Sequence, residues 1–165
     1  MNRALKKVAV LTALTTLVVF PVPGASGAQP NDKVVGGGQH AGGGSFGISA
    51  HSDADGTDAR GSLTGETQDN PIASLHAEVT CLVVTGNEAV VTGVLNQPAS
   101  ERGNIMVLHA IDNGRTPGSG SPDLLRFSFS SNGGVVPDPN NAGCFLPIFP
   151  PVPLEKGDIA VTDAL

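Results

Sequence analysis

The hydrophobic positions of the chain fall in short alternating runs rather than in helical periods. From residue 75 to residue 83 every second position is apolar, and the positions between them include His76 and Glu78. Such alternation predicts a strand with one buried face. Similar or wholly apolar runs occupy residues 45–52, 60–66, 89–95, 104–112 and 124–130, with shorter ones at 34–35 and 158–161.

Turn-forming residues separate these runs, and no window of about 11 residues in the body of the chain has a helical apolar period. The pattern predicts an all-β fold, an antiparallel sandwich or barrel of about seven to eight short strands. Residues 132–153 form one long Pro-rich loop, too rich in proline for a central strand. The glycines at 36–38 and 42–44 predict flexible backbone beside the first hairpin.

The first 28 residues have the pattern of a secretory signal peptide. Three basic residues precede an apolar run over residues 8–20, and the small residues Ser26 and Ala28 end the segment. As a helix the run would span about 20 Å, short of the roughly 30 Å hydrocarbon core that a membrane anchor must cross. We therefore expect a signal peptide over residues 1–28 and a single secreted, extracellular all-β domain over residues 29–165, without membrane insertion after cleavage.

The charge balance excludes several classes of partner. The chain has 9 basic and 15 acidic residues, a net charge of −6, and removing residues 1–28 takes away three of the basic ones. Nucleic-acid binding needs a basic surface that neutralises phosphates, so this function is excluded. The same negative charge opposes binding to anionic lipid headgroups. The expected partner is extracellular and unknown.

Cys81 and Cys144 are the two cysteines of the chain. In an exported protein they permit one intramolecular disulfide, which would join the long Pro-rich loop to the strand that contains Cys81. The alternative is a reactive or metal-binding thiol. Neither cysteine lies in a CxxC motif or beside a histidine, so the disulfide is favoured.

The sequence motifs give little support for an enzymatic function. No helix is predicted that could follow a GxSxG nucleophile elbow, and the four histidines, His40, His51, His76 and His109, are far apart in the chain. Metal motifs such as HxH and HExxH are also absent. The lack of Trp and Tyr weakens a sugar-binding site. We expect no enzymatic activity and no cofactor apart from a possible calcium ion.

The calcium candidate is the acidic turn at residues 53–58, with carboxylates at Asp53, Asp55 and Asp58. An EF-hand counted from Asp53 would need glycine at its sixth position and glutamate at its twelfth, where this chain has Asp58 and Thr64. A solvated turn tip is the competing interpretation. A second acidic turn, at residues 112–114, contains an Asn-Gly step, which is typical of a β-hairpin turn. Asp123 follows it a few residues later.

The order of short motifs along residues 33–161 resembles a known family. The motifs are KVVGGG (33–38), SFGISA (45–50), GSLT (61–64), VTCL (79–82), GNEA (86–89), IDNG (111–114), PD (122–123), Cys144 and GDIAV (157–161). In this order they are similar to the small secreted actinobacterial domain of the post-COAP type. The resemblance implies an all-β extracellular module of unknown activity, with no catalytic residues to transfer.

These observations lead to one main functional expectation and one alternative. We expect a non-enzymatic secreted β-domain that acts as a structural or interaction module at the cell exterior. The alternative is weak binding of calcium or a small ligand at the acidic turns. Convergence of Asp53, Asp55 and Asp58 would favour calcium, and a pocket that holds His76, His109 and an acid would favour an enzyme.

Overall fold

A computed structural model describes residues 31–40, 44–53, 56–66, 74–114, 121–141 and 143–164. The predicted signal peptide lies outside these residues. The described ranges contain ten strands: β1 (Asn31–His40), β2 (Gly44–Asp53), β3 (Arg60–Gly65), β4 (Leu75–Thr85), β5 (Glu88–Gln97), β6 (Ile105–Ile111), β7 (Leu124–Phe129), β8 (Val135–Pro137), β9 (Phe145–Pro147) and β10 (Val152–Thr162). Short 3-10 turns occupy Ala99–Glu101 and Ser130–Asn132.

Eight of these strands form a closed antiparallel barrel. Their order around the barrel is β1-β10-β7-β6-β5-β4-β3-β2, and β8 and β9 form a separate two-stranded sheet. Consecutive strands therefore pair with one another, as the short connections of the sequence require. The all-β prediction is confirmed, and of the two predicted architectures the structure has the barrel.

The core fills the inside of the barrel because apolar side chains alternate with polar ones along each strand. Leu63, Leu108 and Leu125 are at most 1% exposed and belong to this interior cluster. Its other buried members come from β1, β2, β4, β5, β6 and β10 and include Val34, Phe46, Ile48, Val79, Leu82, Val91, Leu95, Met106 and Ile159. A barrel of eight strands is just wide enough to be filled by side chains or to hold one small ligand.

The glycines at 36–38 lie inside a strand, contrary to the prediction of flexible backbone. They pair with β2 on one side and with β10 on the other, where Gly38 lies opposite Gly157. Gly157 has a φ of 113°, and a Cβ there would collide with the carbonyl oxygen of Gly37. Glycine is needed at this position because the two backbones approach closely in a conformation that side chains disfavour.

The junction between β7 and β10, called the seam below, has the shortest backbone ladder in the barrel. Only Val152 and Pro153 of β10 pair with Leu125 and Leu124 of β7. The rest of β10 pairs with β1, and on the side of the seam it forms hydrogen bonds with side chains: Asp123 Oδ2 accepts the N–H of Ile159 at 2.8 Å. In the same way Asp112 Oδ2 accepts the N–H of Val161 at 3.1 Å. The second acidic turn is thus part of the barrel's closure.

The predicted Pro-rich loop, residues 132–153, contains β8 and β9, and its last two residues, Val152 and Pro153, begin the barrel strand β10, contrary to the prediction. The part before β10 folds back over the outside of the barrel, and residues 130–151 are called the strap below. Four outward-facing residues lie beneath it in register across β4 to β7: Cys81, Thr92, Val107 and Ser128. All four are at most 6% exposed, although they are outside the interior core cluster. The strap therefore covers a second, smaller buried layer.

Candidate functional site

A cavity of about 210 Å³ lies at one end of the barrel beside the seam, and we call it the seam pocket. Its apolar walls come from the ends of β3, β4, β6, β7 and β10, and three polar side chains also line it. The lining residues are His40, Gly65, Glu66, Leu75, Met106, Leu125, Arg126, Phe127, Phe129 and Val152. Mostly apolar walls with a few polar groups are typical of small-molecule sites.

The pocket exists because β7 continues past the start of β10. β10 begins at Val152, opposite Leu125, so residues 126–129 have no β10 partner. Phe127 lines the space that this leaves, and its ring makes edge-on contacts with His40 at 6.0 Å and Phe46 at 6.1 Å between centroids. The short ladder of the seam thus leaves a gap that aromatic side chains only partly fill.

Two charged side chains of the pocket are held in different ways. Glu66 accepts hydrogen bonds from the hydroxyls of Ser45 at 2.9 Å and Ser74 at 3.2 Å. Arg126 instead stacks its guanidinium against the ring of Phe149 in the strap, 5.2 Å from the ring centroid. Phe149 is itself 46% exposed, so this contact lies at the surface of the molecule.

The predicted disulfide is confirmed. Cys81 and Cys144 are bonded, with their Cα atoms 5.4 Å apart, inside the normal range for a disulfide. The bond joins β4 to the strap, as the sequence predicts. A second cleft of about 440 Å³ lies beside it, between residues 56–59, β4 and the strap residues Asn140 and Asn141.

The structure describes two of the three carboxylates of the first acidic turn, Asp53 and Asp58. Asp58 accepts a hydrogen bond at 2.7 Å from Arg60, which also donates to His51 at 2.7 Å. Asp53 ends β2, and Asp55 lies outside the described residues. Within the described part of the chain no three His, Cys, Asp or Glu side chains are grouped as metal ligands.

The histidines named in the sequence analysis are not brought together. His109 Nε2 lies 2.5 Å from Glu88 Oε1 on the outside of the barrel, so it does have an acidic neighbour. His76 lies on β4, opposite Gln97 of β5, and neither His76 nor His109 lines either cavity described above. The pocket with both histidines and an acid that would favour an enzyme is therefore not present among the described residues.

Sequence reasoning missed the seam pocket. Arg126 alternates with Leu125 and Phe127 and lies opposite His109 on the outward face of the wall, as the alternation predicts, so nothing in the sequence marks it as a pocket residue. One available signal was the pair Phe145 and Phe149 in the Pro-rich loop, since aromatic residues in a loop need a surface to pack on. The pocket itself depends on where β10 starts relative to β7, which the alternation of side chains does not specify.

Comparisons with protein-family models, with curated proteins and with solved structures found no match to this chain. The resemblance to the post-COAP-type domain therefore rests on the sequence motifs alone and stays a prediction. Among the described residues, no helix has the length and apolar character needed to cross a bilayer.

Proposed function

We propose that this chain is a non-enzymatic secreted module that binds a small, largely apolar ligand in the seam pocket at the cell exterior. The observation that carries the proposal is the pocket itself: an apolar gap in the wall of a barrel whose interior is otherwise packed with side chains. A site of this kind in a rigid barrel is largely formed before the ligand arrives, which lowers the entropy cost of binding.

The disulfide supports the extracellular part of the proposal. Disulfides persist in oxidising compartments and are rare in the cytosol. The bond between Cys81 and Cys144 joins two parts of the chain that are 63 residues apart. Together with the signal-peptide pattern of residues 1–28, it favours export from the cell.

Among the described residues, the groups that line the pocket favour a binding role over nucleophilic catalysis. General acid–base or nucleophilic catalysis needs a reactive group within hydrogen-bond reach of an activating partner. In the seam pocket the carboxylate of Glu66 is engaged by Ser45 and Ser74. No Ser, Thr or Cys is among the described residues that line this pocket.

The test is an NMR titration with two probes that share a phenylpropyl body, 3-phenylpropan-1-ol and 3-phenylpropanoate. Binding in the seam pocket should shift the methyl signals of Leu75, Met106, Leu125 and Val152. Binding by either probe supports the proposal. A titration in which neither probe moves these signals contradicts it.

Gly65 offers a variant that fills the pocket without a backbone clash. A Cβ at Gly65 would meet only the methyl group of Met106, at the ordinary contact distance of 3.6 Å. Gly65→Leu should therefore occupy the cavity and abolish binding. Thr64→Leu is the matched control, because Thr64 is the exposed neighbour on the opposite face of β3. Binding that survives Gly65→Leu would place the ligand elsewhere.

A further inference from the structure

Among the described residues, Arg126 is the one lysine or arginine that lines the seam pocket. Its Nε atom is buried and has no hydrogen-bond partner, and the described residues place no carboxylate within ion-pair distance of it. Arg60, by contrast, is engaged by Asp58 and His51. A half-buried guanidinium with an unmade hydrogen bond, beside an apolar cavity, favours an anionic acceptor.

The contact with Phe149 leaves the guanidinium free to bind such a group. The Cζ atom of Arg126 lies over the ring of Phe149, and the N–H groups of arginine project from the edge of the planar guanidinium. That edge matches the two oxygens of a carboxylate. Phe149 therefore orients Arg126 and does not compete for its donors.

The walls and volume of the pocket restrict the rest of the ligand. Leu75, Met106, Leu125, Phe129 and Val152 offer an apolar surface. A cavity of about 150 Å³ in an apolar core holds benzene, so about 210 Å³ accommodates one ring or a short chain with a small attached group. Larger ligands such as long-chain lipids exceed this space.

We propose that the seam pocket binds a small monocarboxylate with an apolar body, an aryl ring or a short alkyl chain, and that Arg126 receives its carboxylate. This inference rests on the proposed function and adds the class of ligand. The negative charge of Glu66 opposes the bound anion, although the Ser45 and Ser74 hydroxyls engage both of its oxygens. Replacing Glu66 by Gln should therefore strengthen binding of the anion.

The experiment compares the dissociation constants of 3-phenylpropanoate and 3-phenylpropan-1-ol for the purified protein. A charge-assisted hydrogen bond to Arg126 should make the acid bind about tenfold more tightly than the alcohol. Arg126→Gln should weaken binding of the acid until its dissociation constant is close to that of the alcohol. Arg102→Gln is the control for net charge, because Arg102 is exposed and does not line the pocket.

The outcomes separate this inference from the proposed function. The role of Arg126 is overturned if the acid and the alcohol bind the wild-type protein equally well. It is also overturned if Arg126→Gln and Arg102→Gln weaken binding of the acid to the same extent. In both cases the pocket remains a binding site. Failure of both probes overturns the proposed function itself. Should Arg126→Gln disturb the strap, the comparison of the two probes on the wild-type protein and on Glu66→Gln still decides the question.

Discussion

The Thr92 hydroxyl accepts a hydrogen bond at 3.0 Å from the backbone N–H of Phe145, a residue 53 positions later in the chain. The same hydroxyl lies 3.4 Å from the carbonyl oxygen of Phe145. Thr92 is 1% exposed and occupies the centre of β5, so one side chain of the barrel wall satisfies the backbone of the strap. A buried backbone N–H without such a partner would be unfavourable.

Replacing Thr92 by Val should therefore weaken the attachment of the strap. Valine has a similar shape but no hydroxyl, and the unpaired N–H of Phe145 should reduce the free energy of unfolding by about 1–3 kcal/mol. Urea unfolding gives the stability, and hydrogen exchange at the Phe145 amide reports the local change. Thr92→Ser keeps the hydroxyl and should retain slow exchange. Equal exchange rates at Phe145 in wild type and Thr92→Val would contradict this role.

The disulfide should stabilise the molecule mainly by restricting the unfolded chain. For cysteines 63 residues apart the chain-entropy model gives up to about 4 kcal/mol. The double variant Cys81→Ala/Cys144→Ala should unfold at lower urea concentration and still show the β signal in circular dichroism, because the bond lies outside the barrel core. Intact-mass measurement after alkylation without reduction checks the bond directly. Two alkylated thiols in that measurement would show that the bond does not form.

Gly157 should tolerate substitution much less well than a glycine in a turn. An alanine Cβ at Gly157 would collide with the Gly37 carbonyl oxygen, and its φ of 113° is unfavourable for side chains. Gly103 also has a positive φ, 88°, but a Cβ added there would have nothing within 4 Å. Gly103→Ala should cost about 1 kcal/mol of stability, whereas Gly157→Ala should cost more. Equal urea midpoints for the two variants would contradict the close approach of β1 and β10.

Asp138 should make the strap sensitive to acid. Hydrogen bonds from the Asn141 side chain and from the Asn140 backbone N–H lower the pKa of Asp138 below 3.8, its value in an unstructured chain. Because the folded-state pKa is the lower one, its contribution to stability is fully present above pH 3.8 and is lost as the pH falls through the folded-state pKa. An NMR titration of the Asp138 carboxyl carbon measures this directly.

The control for this prediction removes the strongest of these hydrogen bonds. Asn141→Ala deletes the side chain that donates to Asp138 Oδ2 at 2.8 Å, so the pKa of Asp138 should move back toward 3.8. A pKa at or above 3.8 in the wild-type protein would contradict the arrangement of these residues.

Calcium should produce no micromolar isotherm in titration calorimetry. Arg60 engages Asp58, and backbone N–H groups of β10 engage Asp112 and Asp123, so an ion would have to displace existing partners. Open surface turns reach at best about millimolar affinity. A micromolar isotherm that disappears in Asp55→Ala would establish the calcium alternative instead.

The alternation of side chains was sufficient to predict the all-β class and most of the strands, and the two cysteines together with the export signal predicted the disulfide to the strap. It was insufficient for features that depend on strands distant in the chain. Nothing near Asp123 in the sequence indicates that its carboxylate accepts the N–H of Ile159. Likewise, the row of glycines at 36–38 suggested flexibility until its close approach to β10 was known. The seam pocket depends on the same long-range registration.

The position of the disulfide also affects what happens when the chain is cut. A protease that cleaves one peptide bond between Cys81 and Cys144 leaves two fragments that remain covalently connected through the sulfur atoms. This interval contains the β4–β5 turn and the first part of the strap, and exposed loops are where nicking concentrates. A molecule nicked in this interval would therefore keep its two fragments together as long as the disulfide is intact.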